Sequence, residues 1–69
     1  MLKKGDIVRF ISRETKKRKI YESYGSHYTI NKEYKVESDE KDNLAQIWTD
    51  TPDLPTNYLF IATDMFVKV

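Results

Sequence analysis

The chain has 69 residues, no cysteine, and twelve Lys/Arg against eleven Asp/Glu. That length accommodates one domain, residues 1–69, near the lower limit of what folds unaided, and the lack of cysteine excludes a disulfide framework or a thiolate metal site. Stability must then come from packed aliphatic and aromatic side chains, among them five tyrosines. No apolar stretch is long enough for a signal peptide or a membrane span, so the expected location is the cytoplasm. The charges are uneven: residues 1–36 carry ten basic and four acidic side chains, residues 37–69 two and seven. The halves form opposite faces only if the fold keeps them apart.

Gly5-Asp6 is a turn signal, and the β-branched and aromatic run Ile7–Ile11 after it predicts a first strand with Val8 and Phe10 on the inner face. Ser12 to His27 is polar and basic with no clean period of 2 or 3.6, and reads as a long loop, with room for a short ladder of its own. Loops of that length in small domains tend to be functional or disordered. Tyr28-Thr29-Ile30 leads to a turn at Asn31-Lys32. Glu33–Ser38 alternates polar and apolar, which predicts a strand with Tyr34 and Val36 inward. Asp39–Asn43 is a charged turn, and Leu44–Thr49 is its hairpin partner, with either Ala45 and Ile47 or Leu44, Gln46 and Trp48 inward.

The two prolines of Asp50–Asn57 predict a loop. Tyr58–Ile61 reads as a fourth strand, Ala62–Met65 as a single 3₁₀ turn, and Phe66–Val69 as a short fifth strand. The predicted core is Val8, Phe10, Tyr34, Val36, Leu59 or Phe60, and Phe66. The expected fold is all-β, a small five-stranded SH3-like barrel with a long loop after strand one.

Lys4-Gly5-Asp6-Ile7-Val8-Arg9-Phe10-Ile11, Tyr28–Val36 and Phe66-Val67 together resemble a group of short phage and prophage proteins. These share a Gly-Asp before strand one, a Leu-Thr-x-Gly-Lys-x-Tyr-x-Val segment and a Phe closing the last strand. Here Asn31 stands where the pattern has Gly, and Asn is also able to take a left-handed conformation. The resemblance covers about half of the chain, at turn and core positions, and lends no catalytic or binding residue. It implies the SH3-like fold and a viral origin, hence the cytoplasm of a host cell. The basic stretch from Ser12 to His27 departs from the pattern.

No phosphate-binding loop or nucleophile motif is present, and no catalytic residue, metal site, cofactor or small-molecule substrate is expected. His27, the single histidine, lacks visible partner ligands. Asp39, Glu40 and Asp42 lack the Gly and distal Glu of a calcium loop and read as a solvated turn. The strongest local signal is Arg13, Lys16, Lys17, Arg18 and Lys19, followed by Tyr21 and Tyr24, which combines cations with aromatic faces. Those seven residues are the expected partner-binding set. A host protein is the leading partner, and the chain is read as a non-enzymatic accessory module. Nucleic acid is the first alternative, because cations neutralise phosphate and tyrosine rings stack on bases. A homo-oligomeric virion component, pairing through outward Ile7 and Ile11, is the second.

Overall fold

A computed structural model describes residues 1–50 and 57–69. Gly5, at φ 94°, turns the N-terminal segment into β1 (Ile7–Phe10). The Asp6 carboxylate closes that turn by accepting from Lys3 N–H at 2.9 Å. β1 alternates as a half-buried strand does, with Val8 and Phe10 fully buried and Ile7 and Arg9 outside. It is the centre of a three-stranded antiparallel sheet, flanked by β2 (Glu33–Lys35) and β5 (Phe66–Lys68). β3 (Leu44–Trp48) and β4 (Tyr58–Ala62) form a two-stranded antiparallel sheet, and the bridge Val36↔Ile47 joins the two layers.

The core divides by side-chain type. An aromatic cluster lies beneath the three-stranded sheet, where Tyr28 meets Phe10, Tyr34 and Phe66 at ring-centroid distances of 5.4, 5.0 and 5.2 Å. Such tilted and edge-to-face pairs each add about 0.5–1.5 kcal/mol beyond their burial. The Tyr28 hydroxyl donates to Ile47 O at 2.6 Å, so its ring spans the two layers. Burial foremost, then the neighbouring Tyr34 and Asp50, pushes its phenol pKa far above the ordinary value, and it stays a donor. The other half of the core is aliphatic: Ala45, Ile47, Ile61, Ala62 and Met65, all fully buried.

Four expectations change. The chain is mostly rather than wholly β, because the stretch expected to be a long loop contains α1 (Ile20–Tyr24) and a 3₁₀ turn (Gly25–His27). Tyr21 and Tyr24, three apart on one face, pack against the core, and that anchorage compensates for a helix too short to hold by itself. The hairpin expected between 33–38 and 44–49 is reduced to the bridges Val36↔Ile47 and Lys41↔Leu44. β3 instead takes β4 along its whole length. At the tip, Asp42 and Asn43 both have positive φ, 55° and 61°, as a type I′ turn requires.

In β4 the core residues are Ile61, which faces Ala45, and Ala62. Phe60 pairs with Gln46 on the outer face and is 50% exposed, while Leu59 is half-buried. Of the two faces open to it, β3 buries the one with Ala45 and Ile47. Asp39 and Glu40 are not idle solvated acids. Asp39 accepts from Lys4 N–H, and Glu40 accepts from Leu2 N–H and the Thr63 hydroxyl, each at 2.9 Å.

Several readings stand. Asn31 takes φ 70° in the turn before β2, the left-handed conformation anticipated there. A 3₁₀ turn (Thr63–Met65) precedes β5, and Phe66 is buried. Of the proline loop expected over 50–57, residues 51–56 lie outside the described residues. Among the described residues no helix is long and apolar enough to cross a membrane.

Candidate partner-binding groove

The basic run is pinned through its backbone, while its lysine side chains stay in solvent. Ser12 Oγ accepts from Glu14 N–H at 3.0 Å, and Glu22 accepts from Thr15 N–H at 3.2 Å. Asp64 accepts from the Thr15 hydroxyl at 2.6 Å and from Lys16 N–H at 2.8 Å, and Thr15 Oγ1 accepts from Lys17 N–H at 3.0 Å. Lys16 and Lys17 are therefore presented by a fixed turn. Among the described residues neither ammonium has an ion-pair partner.

The seven residues picked out from the sequence separate into four groups. Arg13 folds back on the core, its guanidinium donating to Tyr28 O at 3.3 Å and lying 5.6 Å from the Phe10 ring centroid. Tyr21 and Tyr24 meet edge to face at 5.8 Å and are half-buried against the core, so their rings already have partners. Arg18 and Lys19 are exposed, and their carbonyls accept from Tyr21 and Glu22 N–H to start α1.

Lys16 and Lys17 line an open groove of about 670 Å³. Its lining also takes in Phe66, Val67 and Lys68 of β5, together with Leu2 and Thr63. The groove's acids, Glu40 and Asp64, are engaged with hydroxyl and backbone N–H donors. Lys68 lies 3.5 Å from the Asp6 carboxylate, whose pKa is lowered chiefly by the Lys3 N–H and also by Lys68. The neutral donors at Glu40 and Asp64 orient those two carboxylates without cancelling their charge, and the lysines of the lining, Lys16, Lys17 and Lys68, outnumber them by one. A lining that combines apolar side chains with an excess of cations suits an amphipathic segment of opposite charge.

Sequence reasoning missed Leu2, Glu40, Asp64 and Lys68 as parts of this surface. Asp64 is 48 residues from Lys16, and no local pattern connects them.

A second polar cluster lies at the end of β3. The Asp50 carboxylate accepts from the Thr29 and Tyr34 hydroxyls, both at 2.7 Å, and from Lys32 Nζ. Tyr34 Oη in turn accepts from Thr29 N–H at 2.7 Å, and Asp50 N–H donates to His27 O at 2.9 Å. Partial burial raises the Asp50 pKa, but the hydrogen bonds from Lys32, Thr29 and Tyr34 outweigh it and hold the pKa below 3.8. Lys32 is raised by its hydrogen bond to Asp50.

Ion pairs Lys32–Asp50 and Lys68–Asp6 each join a basic and an acidic residue from distant parts of the chain, so the fold interleaves the two charge-biased halves. Among the described residues no three His, Asp or Glu side chains are grouped to hold a metal ion. No protein family, curated protein or solved structure matches this chain.

Proposed function

We propose that this chain is an SH3-like barrel acting as a non-enzymatic protein-binding module, of the kind by which a phage attaches to a host protein. The strand order supports the barrel: β5, β1 and β2 are adjacent, the bridge at Val36 leads from the end of β2 to β3, and β3 pairs with β4. A 3₁₀ turn then returns the chain to β5, which closes the path.

The observation that carries the binding reading is the groove between Lys16-Lys17 and β5. A fixed turn holds two cations, without an ion-pair partner among the described residues, beside apolar side chains, a poor arrangement for stability alone and a suitable one for an acidic, partly apolar segment of another protein. Nucleic acid is the weaker fit, because Tyr21 and Tyr24 are packed against each other and the core, where a base has no free ring to stack on. The outward Ile7 and Ile11, 41% and 47% exposed, keep self-association as a further outcome for light scattering to detect.

Affinity capture from a bacterial lysate, with and without nuclease, tests the reading when wild type is run beside Lys16→Glu/Lys17→Glu. A defined protein retained after nuclease and lost from the variant supports it. Retention that nuclease abolishes favours nucleic acid, and equal retention by both chains removes the groove from the account.

A further inference from the structure

We propose that the open edge of β5 is a docking site for an extended acidic segment of a partner protein, which adds to the sheet as a further strand. This rests on the groove reading above and specifies how that groove is occupied.

The argument starts from the phase of the β1–β5 ladder. Val69 N–H donates to Ile7 O and Ile11 N–H donates to Met65 O, both at 3.0 Å. With the register Arg9↔Val67, the bonded positions opposite β1 are residues 65, 67 and 69. Antiparallel strands alternate bonded and non-bonded pairs, so Phe66 and Lys68 direct their backbone groups away from β1. The β1–β2 ladder agrees: Val36 N–H donates to Asp6 O and Phe10 N–H to Lys32 O, so Val8, which faces Lys68, turns its own groups toward Tyr34.

Phe66 N–H is taken by Thr63 O in the 3₁₀ turn. Phe66 C=O, Lys68 N–H and Lys68 C=O therefore point to the outer edge of β5, the last strand of its sheet. Phe66, Val67 and Lys68 of that strand line the groove together with Lys16 and Lys17. An added strand would find both backbone partners and cations there.

Charge decides the occupant. A second copy would bring its own Lys68, Lys16 and Lys17 against the same three cations, and lysines on an edge strand are a recognised obstacle to such pairing. An acidic segment meets a lining in which three lysines, Lys16, Lys17 and Lys68, outnumber the two carboxylates Glu40 and Asp64. A nucleic acid backbone would meet the cations but has no alternating N–H and C=O groups to continue the ladder.

The test uses the full chain, ¹⁵N-labelled, at low salt. One probe is the capped octapeptide Val-Glu-Val-Asp-Val-Glu-Val-Asp. The other is the same peptide N-methylated at its two central amides, one on each edge of the strand. The parent peptide should bind and slow exchange of the Lys68 amide about tenfold or more, the behaviour of an amide moved from solvent into a ladder. N-methylation should weaken binding about tenfold or more, the loss expected from removing one or two backbone hydrogen bonds. The Lys68→Pro variant should lose binding as well, since it deletes the outward donor and leaves the bonds to β1 in place.

If both peptides bind equally and the Lys68 amide stays unprotected, while Lys16→Glu/Lys17→Glu abolishes binding, the groove stands and strand addition is overturned. If neither peptide binds at millimolar concentration, both readings fall. Protection of Lys68 that grows with protein concentration in the absence of peptide assigns the edge to a second copy and overturns the proposal.

Discussion

The Asp50 cluster and the Lys16-Lys17 groove are built from the same kinds of group and resolve them in opposite ways. At Asp50 a carboxylate, an ammonium and two hydroxyls converge and satisfy one another. At the groove the carboxylates of Glu40 and Asp64 are satisfied by hydroxyl and backbone donors, and the lysine ammonium groups are left outside. The first arrangement ties the 29–34 turn to the end of β3 and so holds the two sheets in place. The second fixes a backbone and leaves charge available. In a domain with so small a core, charge that does nothing for the fold is best explained by something outside it.

Phe66 lies beneath both regions, in ring contact with Tyr28 and Phe10 and on the wall of the groove. Phe66→Ala should cost about 3–5 kcal/mol, most of the stability of a domain that has about 5 kcal/mol in total. Loss of the cooperative thermal transition is the expected result. An unchanged melt would detach the last strand from the core and end the comparison.

Asp50→Ala should have the next largest effect, about 1–3 kcal/mol, because Tyr34 Oη and Thr29 Oγ1 lose their acceptor in a partly buried setting. Urea unfolding measures it directly. A loss below about 0.5 kcal/mol, the range of ordinary surface substitutions, would make the cluster decorative.

The same pair of chains gives a pH test with a definite sign. Asp50 has its pKa lowered on folding, so its contribution is full above the unfolded value near 3.8 and is lost as pH falls through the folded one. The stability gap between wild type and Asp50→Ala should therefore be constant near pH 6 and shrink below about pH 4. Asp6, also lowered, keeps some acid sensitivity in both chains and does not alter the difference. A gap that widens on acidification contradicts the assignment.

Gly25→Ala should have the smallest effect. Gly25 has φ −58°, which any residue adopts, and an added Cβ meets Met65, Phe10 and Arg13 at 3.5–3.6 Å, ordinary contact. Reduced freedom of the unfolded chain should then stabilise by about 0.4–1 kcal/mol. A clear destabilisation would mean that the junction between α1 and the core is tighter than those distances indicate.

Strand-level features were legible where a residue's own neighbours decide them. Alternation placed Val8, Phe10, Tyr34 and Val36, the Gly-Asp and Asn31 turns followed from backbone preference, and Phe66 closed the last strand as expected. The run Tyr58–Ala62 has no alternation, so its inward residue is set by the register with β3, which a single sequence does not display. α1 was hidden by its length, since five residues span little more than one turn and periodicity needs several. The groove was half legible: the basic run was visible, but β5 and residues 2, 40 and 64 join it only through long-range contacts. Arg13, Tyr21 and Tyr24 were chosen for chemistry that the fold turned to packing.

The central claim is that Asp50 is held for the fold and that Lys16 and Lys17 are held for a partner. Urea unfolding of Lys16→Gln/Lys17→Gln beside Asp50→Ala, at low ionic strength and pH 7, tests it most directly. The lysine variant should unfold within about 0.5 kcal/mol of wild type, as exposed charges without ion-pair partners do. A loss equal to that of Asp50→Ala would contradict the claim, because the cations of the groove would then be structural.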